Sequence, residues 1–342
     1  MNEIISFDLM YEQISGAGED AFPILMVDEY PNCGAIAVFD GLGGAGGTIY
    51  TVNEEEHTAA YIASRMVRNI VYDHLQSLLN KLINEESFSC SLIASELKDI
   101  IITRMRYAIE DKNINIPSSK IKSALVQVLP TTMAMLLFTK YINNQTITYN
   151  YYSIWAGDSR NYILTSDYGL QQVTKDDISQ DKDAFELLKQ DCPLSNNIKF
   201  SEDFYINCKK ITSDTPMILI SATDGCFGYL PTPLHFEYFI LDSLFKSNNV
   251  LEWRDLLNDI IKLYAGDDFS LSLVVIEWND LDILKNNFKK RYEYCKVRVK
   301  GIDIVKRNIE VLSKHELFYT NRLWELYRSD YEHFIRDLGG DK

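Results

Sequence analysis

Three short apolar runs, Ile4–Met10, Phe22–Val27 and Ala35–Phe39, open the chain, and each predicts a strand. The third is almost wholly apolar, which fits a strand covered on both faces, and it runs straight into the glycine-rich stretch DGLGGAGG. The spacing then changes to that of helices. One is predicted over Glu54–Ile83, with Ala59, Ile62, Met66, Ile70, Leu75 and Leu79 near helical period, and a second over Cys90–Glu110. Pro117 closes this region. From Thr131 the pattern returns to strands, at Met133–Phe138, Thr146–Trp155 and Arg160–Leu164, separated by turn-like stretches such as Asn143-Asn144-Gln145 and Asp167-Tyr168-Gly169. Short connections of this kind favour antiparallel hairpins. Met217–Ser221 and Leu271–Trp278 predict two more buried strands, with helices near Leu234–Phe245 and Leu251–Tyr264 between them. Strands and helices grouped in blocks predict an α+β layered domain over 1–280.

Beyond Asp280 the pattern is helical to the end. Leu317, Leu323, Trp324, Tyr327, Tyr331, Phe334, Ile335 and Leu338 form one apolar stripe, and Gly339-Gly340 stops it. Charge separates this 281–342 extension from the rest. The whole chain of 342 residues carries a formal net charge of −15. Residues 285–342 hold 14 Lys+Arg against 9 Asp+Glu, a net of +5, which leaves −20 for residues 1–284. An acidic body of this kind argues against nucleic-acid binding. No apolar run approaches the length of a membrane span, and the N-terminus lacks a basic region followed by an apolar one. Six scattered cysteines with no C-x-x-C pair fit reduced thiols in a cytoplasmic protein.

Three acidic sites share one grammar, an apolar strand ending in aspartate beside glycine or a second carboxylate. They are Asp40-Gly41, Asp224-Gly225 and Asp267-Asp268. A carboxylate at the end of a buried strand is costly to desolvate without a compensating cation. Hard divalent ions such as Mg²⁺ and Mn²⁺ prefer oxygen ligands. Taken singly, each Asp-Gly pair reads as a turn. A fourth segment, WAGDSR, adds Asp158 and Arg160.

In order and spacing these segments resemble the PPM, or protein phosphatase 2C, family of metal-dependent protein phosphatases, in its bacterial form. GEDAF (Gly18–Phe22) resembles the first acidic motif and VFDGLGG (Val38–Gly44) the D-G-x-G-G signature. LPTTMAM, WAGDSRNYIL with GLQQVTKDD, ISATDGCFGYL and GDDFSLSLVVI resemble the later motifs in collinear order over residues 1–278. The resemblance implies a central β-sandwich of two antiparallel sheets flanked by helix pairs. It also implies a site for two Mn²⁺ or Mg²⁺ ions, with a third possible, where a metal-activated water hydrolyses phosphoserine and phosphothreonine. Asp40, the Gly41 carbonyl, Asp224 and Asp267 would be inner ligands and, through the bound water, the catalytic set. Glu19 and Asp20 would hold metal-bound waters, Asp158 matches a third-metal position, and Asp268 remains the alternative to Asp267. The implied partners are a phosphorylated protein and a cognate Ser/Thr kinase.

Several positions depart from the family pattern. Ser15 stands where many relatives place a phosphate-binding arginine, Leu42 follows the Asp-Gly pair, Pro130 replaces a glycine, and Cys226-Phe227-Gly228 replaces Leu-Trp-Asp. These motivate the alternative of a catalytically inactive binding or regulatory module. Other phosphatase chemistries lack their residues, since no cysteine precedes an arginine at Cys-x5-Arg spacing and no P-loop is present. Asp280-Leu281-Asp282 reads as a solvated turn, and the five histidines read as helix-surface residues. The C-terminal helices read either as a brace on the domain or as an arm that docks a partner.

Overall fold

The computed structural model describes residues 4–27, 33–52, 55–84, 89–111, 128–143, 146–180, 182–190 and 192–331. Pro117, the Asn144-Gln145 turn, Gly339-Gly340 and the distal end of the C-terminal stripe lie outside them. Two five-stranded antiparallel sheets form the centre. The first runs in the order β1 (Ser6–Tyr11), β12 (Phe269–Ile276), β11 (Met217–Ala222), β8 (Arg160–Thr165) and β9 (Gly169–Gln172). The second runs β10 (Asn207–Ser213), β7 (Thr146–Ala156), β6 (Met133–Asn143), β3 (Cys33–Val38) and β2 (Ile24–Val27). A separate hairpin joins β4 (Ile49–Val52) to β5 (Glu55–Thr58).

Alternation along the strands builds the layers. Ala35 and Ala37 of β3, with Met133, Met135 and Leu137 of β6, pack in the core formed with α1 (Ala59–Asn84) and α2 (Cys90–Asp111). Their neighbours Ile36, Leu136 and Phe138 turn the other way, onto Leu219 of β11 and Val274 of β12 between the sheets. Both faces of β3 and β6 are therefore covered, which is why their sequences read as continuous apolar runs. On the outer side of the first sheet lie α4 (Pro233–Lys246) and α5 (Val250–Lys262). Phe7 of β1 meets the fully buried Trp253 of α5 edge-on at 5.1 Å, and the indole Nε1 donates to Ile240 O of α4 at 3.1 Å. The expected α+β sandwich with flanking helix pairs is the observed fold.

The local chemistry explains several boundaries. Asn249 caps α5 by accepting from Glu252 N at 2.9 Å, and Pro233 opens α4. Between β9 and β10 lies the short α3 (Ala184–Leu187), capped at both backbone and side chain by the Asp183–Glu186 pair. Asp280 caps α6 (Leu281–Tyr331) by accepting from Asp282 N and Ile283 N, each at 2.9 Å. The chain divides into two compact units between Tyr292 and Glu293. In the first unit, the opening of α6 buries Leu284 and Phe288, Phe288 meets Trp278, and Tyr292 donates to Asp242 at 2.9 Å. In the second, α6 continues as a helix whose Ile304, Leu312, Leu323 and Leu326 side chains are exposed.

Two expectations need correction. The predicted start of α1 at Glu54 lies outside the described residues, and Glu55–Thr58, expected in that helix, form β5 instead, because Glu55, Glu56 and Thr58 pair with Val52, Thr51 and Ile49. His57 is accordingly a hairpin residue, and His235 is buried in α4, where it hydrogen-bonds Thr232 at 2.8 Å.

Candidate active site

The acidic segments meet at one end of the sandwich through backbone contacts. Asp40 and Gly41 follow β3, and the Asp40 carbonyl accepts from Thr132 N at 2.8 Å and Thr131 Oγ1 at 2.6 Å. Leu42 N donates to Pro130 O at 3.2 Å, so the Leu129–Thr132 stretch pins the glycine loop. Asp20 is almost wholly buried, and its Oδ2 accepts from Thr223 Oγ1 at 2.9 Å. Thr223 in turn accepts from Ser270 N at 2.9 Å, which ties the end of β11 to β12. Asp224 opens the single turn Asp224–Cys226, and its carbonyl accepts from Gly228 N at 2.6 Å. Asp158 sits in the β7–β8 turn after Gly157, whose φ of +101° suits glycine.

Close backbone approach explains the glycines. A Cβ on Gly41 would lie 2.5 Å from Ala60 O and 2.7 Å from Glu19 O. One on Gly43 would lie 2.0 Å from Glu19 Oε2, and one on Gly225 would lie 2.0 Å from Asp268 O. Glu19 is thus pressed against the glycine loop. Its Oε1 accepts from Thr58 Oγ1 at 2.7 Å, its carbonyl from Ser64 Oγ at 2.5 Å, and its N–H donates to Asp268 Oδ2 at 2.7 Å.

Asp267 and Asp268 separate clearly. Both oxygens of Asp268 are occupied by backbone donors, Gln13 N and Glu19 N, each at 2.7 Å. Asp267 is exposed and, among the described residues, accepts only from Asp268 N, at 2.8 Å. Asp268 fastens the 13–19 loop; Asp267 keeps an oxygen for another partner.

The charges act on one another. Burial pushes the Asp40 carboxyl well above the usual range, and the charges of Asp20, Asp224 and Asp158 push it further. Asp20 is raised to about 7 by burial with Asp224 nearby. Asp158 is raised to about 8 by burial and then by Asp224 and Asp176. Asp224 is raised to about 6 by burial and by Asp267. Glu19 is raised by burial, with Asp268 and Asp267 adding to it. Asp20 and Asp40 lie close enough for each to act on the other's proton affinity. The structure therefore brings Asp20, Asp40, Asp158, Asp224 and Asp267 into one field, with Glu19 and Asp268 beside it.

A divalent cation suits this donor set. Every donor is oxygen, and Asp158 Oδ1 is buried with no hydrogen-bond partner. Among the described residues, no three His, Cys, Asp or Glu side chains form a ready-made ligand group. The carboxylates are neighbours that a cation would draw together, not a preformed cage.

Arg160 is engaged elsewhere: it forks onto Asp176 at 2.6–3.1 Å and lies under Phe227, with its Cζ 4.3 Å from the ring centroid. Ser15 lies exposed in the 13–19 loop. Sequence reasoning missed Thr58, Ser64, Arg65 and Thr223. The first three read as part of a helix face, and their partners lie some forty residues away. A cavity of about 880 Å³ opens between β5, α1 and α2, away from the acidic cluster. Arg65 and Tyr61 form part of its wall.

No protein-family model matches the chain. No curated protein matches it. Solved structures do. The serine/threonine phosphatase Stp1 of Staphylococcus aureus aligns with a TM-score of 0.55 at 18% identity, over 81% of this chain and 98% of its own. The Mycobacterium tuberculosis serine/threonine phosphatase PstP/Ppp aligns with a TM-score of 0.52 at 15% identity, over 80% and 98%. A C. elegans sex determining protein aligns with a TM-score of 0.54 at 12% identity, over 84% and 68%. The chain has the fold of the PPM-type serine/threonine phosphatases.

Proposed function

We propose that this protein is a metal-dependent protein phosphatase acting on phosphoserine and phosphothreonine. One observation carries the reading. Five aspartates from both sheets share a field at one end of this fold, where the charges of Asp20, Asp158, Asp224 and Asp267 raise the proton affinity of their neighbours. Clustered buried carboxylates at one end of a fold are a common feature of functional sites.

Asp40, the Gly41 carbonyl, Asp224 and Asp267 would hold two Mn²⁺ or Mg²⁺ ions, with Glu19 and Asp20 holding bound waters and Asp158 serving a third. Such ions, when bound, supply an acidified water and offset charge on the phosphoryl oxygens. The chain's own residues do the rest. Thr131 and Thr132 hold the Asp40 carbonyl still, Thr223 orients Asp20, and Asp268 fixes the backbone that carries Glu19. Exposed Ile14 and Tyr229 flank this end and offer an apolar rim to a peptide. A phosphorylated protein, and through it a cognate kinase, would be the partner.

Two of the departures from the family pattern are accommodated. Pro130 packs where a Cβ on Gly46 would lie 2.8 Å from its ring, and Cys226-Phe227-Gly228 still closes the turn on the Asp224 carbonyl. The alternative is an inactive binding module, motivated by Ser15, which stands where many relatives place a phosphate-binding arginine.

The two readings part in one assay. Phosphate release from a phosphothreonine peptide is followed with the full chain in EDTA and after Mn²⁺ is restored. The enzyme reading expects turnover that vanishes in EDTA and returns with Mn²⁺. Folded protein that stays inert at every metal concentration supports the binding module instead.

A further inference from the structure

We infer that Arg65 is a positioning residue for the acidic site: a cation on α1 that clamps the Gly18–Asp20 backbone and so sets the affinity for divalent metal. The inference rests on the proposed metal-dependent reading and adds a residue that none of the sequence motifs contains.

Arg65 Nη2 donates to Gly18 O at 3.0 Å, and Nη1 to Glu19 O at 3.4 Å. Nη1 also reaches Tyr61 O and Ser64 Oγ, each at 3.4 Å, and Nη2 lies 3.7 Å from Glu12 Oε1. The guanidinium therefore grips two consecutive carbonyls of the strip that carries Glu19 and Asp20. Its plane is fixed as well. Its Cζ lies 3.5 Å from the Tyr61 ring centroid, and the His57 ring stacks on the same tyrosine at 4.1 Å with planes 4° apart. Two flat groups this close cannot share one face, so Tyr61 is sandwiched between Arg65 and His57. A stacked, forked guanidinium loses little entropy in holding such a geometry, whereas a lysine offers a point charge on a flexible stem.

The clamp works with two others on the same strip. Ser64 Oγ takes the Glu19 carbonyl and Thr58 Oγ1 takes its carboxylate. All three come from α1 or the residue just before it. Without Arg65 the Gly18 carbonyl loses its side-chain donor, and the Glu19 carbonyl keeps only the Ser64 hydroxyl. Partners of ligands held in this indirect way commonly change metal affinity by about 10–100-fold.

The test is calorimetric titration of Mn²⁺ into the full chain, with Tm in EDTA as the measure of folding. Arg65→Met is expected to weaken Mn²⁺ binding about tenfold or more while Tm in EDTA moves by only a few degrees. Arg65→Lys is expected to recover little of it. Should Arg65→Met fail to fold, Tyr61→Leu keeps the guanidinium and removes its stacking partner; binding weakened by a smaller factor would support the clamp. Unchanged Mn²⁺ affinity in Arg65→Met or Tyr61→Leu, or full recovery by Arg65→Lys, would overturn it. A wild-type chain that takes up no Mn²⁺ would overturn the metal reading and this inference with it.

Discussion

Asp267 and Asp268 show how neighbouring identical residues divide labour. Asp268 spends both oxygens on backbone N–H groups of the 13–19 loop, while Asp267 faces outward and its charge is felt at Asp224. The sequence left the choice between them open because nothing local distinguishes two adjacent carboxylates; the distinguishing partners, Gln13 and Glu19, are about 250 residues away. The glycines were legible as a tight backbone path, and the contacts behind it lead to a prediction. Gly225→Ala forces a Cβ onto Asp268 O, so it should destabilise by about 1–3 kcal/mol or more. Gly44→Ala meets nothing within 4 Å and should change stability by no more than about 0.5 kcal/mol. Urea denaturation of the two variants beside the wild type checks both, and equal midpoints would show that the close approach is not real.

At the scale of elements, one carboxylate organises the stretch between β9 and β10. Asp177 accepts from Gly157 N at 3.0 Å, from Asn196 Nδ2 at 2.7 Å and from Asn207 Nδ2 at 3.0–3.1 Å. It ties that stretch to the turn bearing Asp158. Asp177→Ala would leave these buried donors without their acceptor and should cost roughly 2–4 kcal/mol, read as a lower urea midpoint at an unchanged slope. A midpoint equal to the wild type would mean the amides find other partners. The buried central strands were legible because both their faces are covered and their apolar runs are unbroken. β10 was not, since NCKKITS is an edge strand with exposed lysines. Nor was the β4–β5 hairpin, whose Glu55 and Glu56 read as a helix start, although its last residue Thr58 holds Glu19.

At the scale of the whole molecule, the fold gathers acids at a cost that depends on pH. Asp8 and Asp224 are raised to about 6, Asp20 to about 7 and Asp158 to about 8, burial being the first cause for each. These groups bind protons more tightly folded than unfolded, where carboxyls titrate near about 4. Their protonated forms therefore favour the native state, fully so below about pH 4, and that contribution is lost as pH rises to about 8. In EDTA, Tm should fall from pH 5 to pH 8, and saturating Mn²⁺ should narrow the difference by taking the protons' place. A Tm that climbs over that range in EDTA would contradict the buried cluster. The order of motifs, strand by strand, made this architecture readable at 12–18% identity to solved structures, because the acids mark strand ends that the sandwich brings together. The measurement that bears most directly on the account is phosphate release from a phosphothreonine peptide across a Mn²⁺ titration, wild type against Asp224→Asn. The account predicts saturable, Mn²⁺-dependent turnover in the wild type and loss of at least about a hundredfold in the variant. Equal turnover in both, or none in a folded wild type, would contradict it.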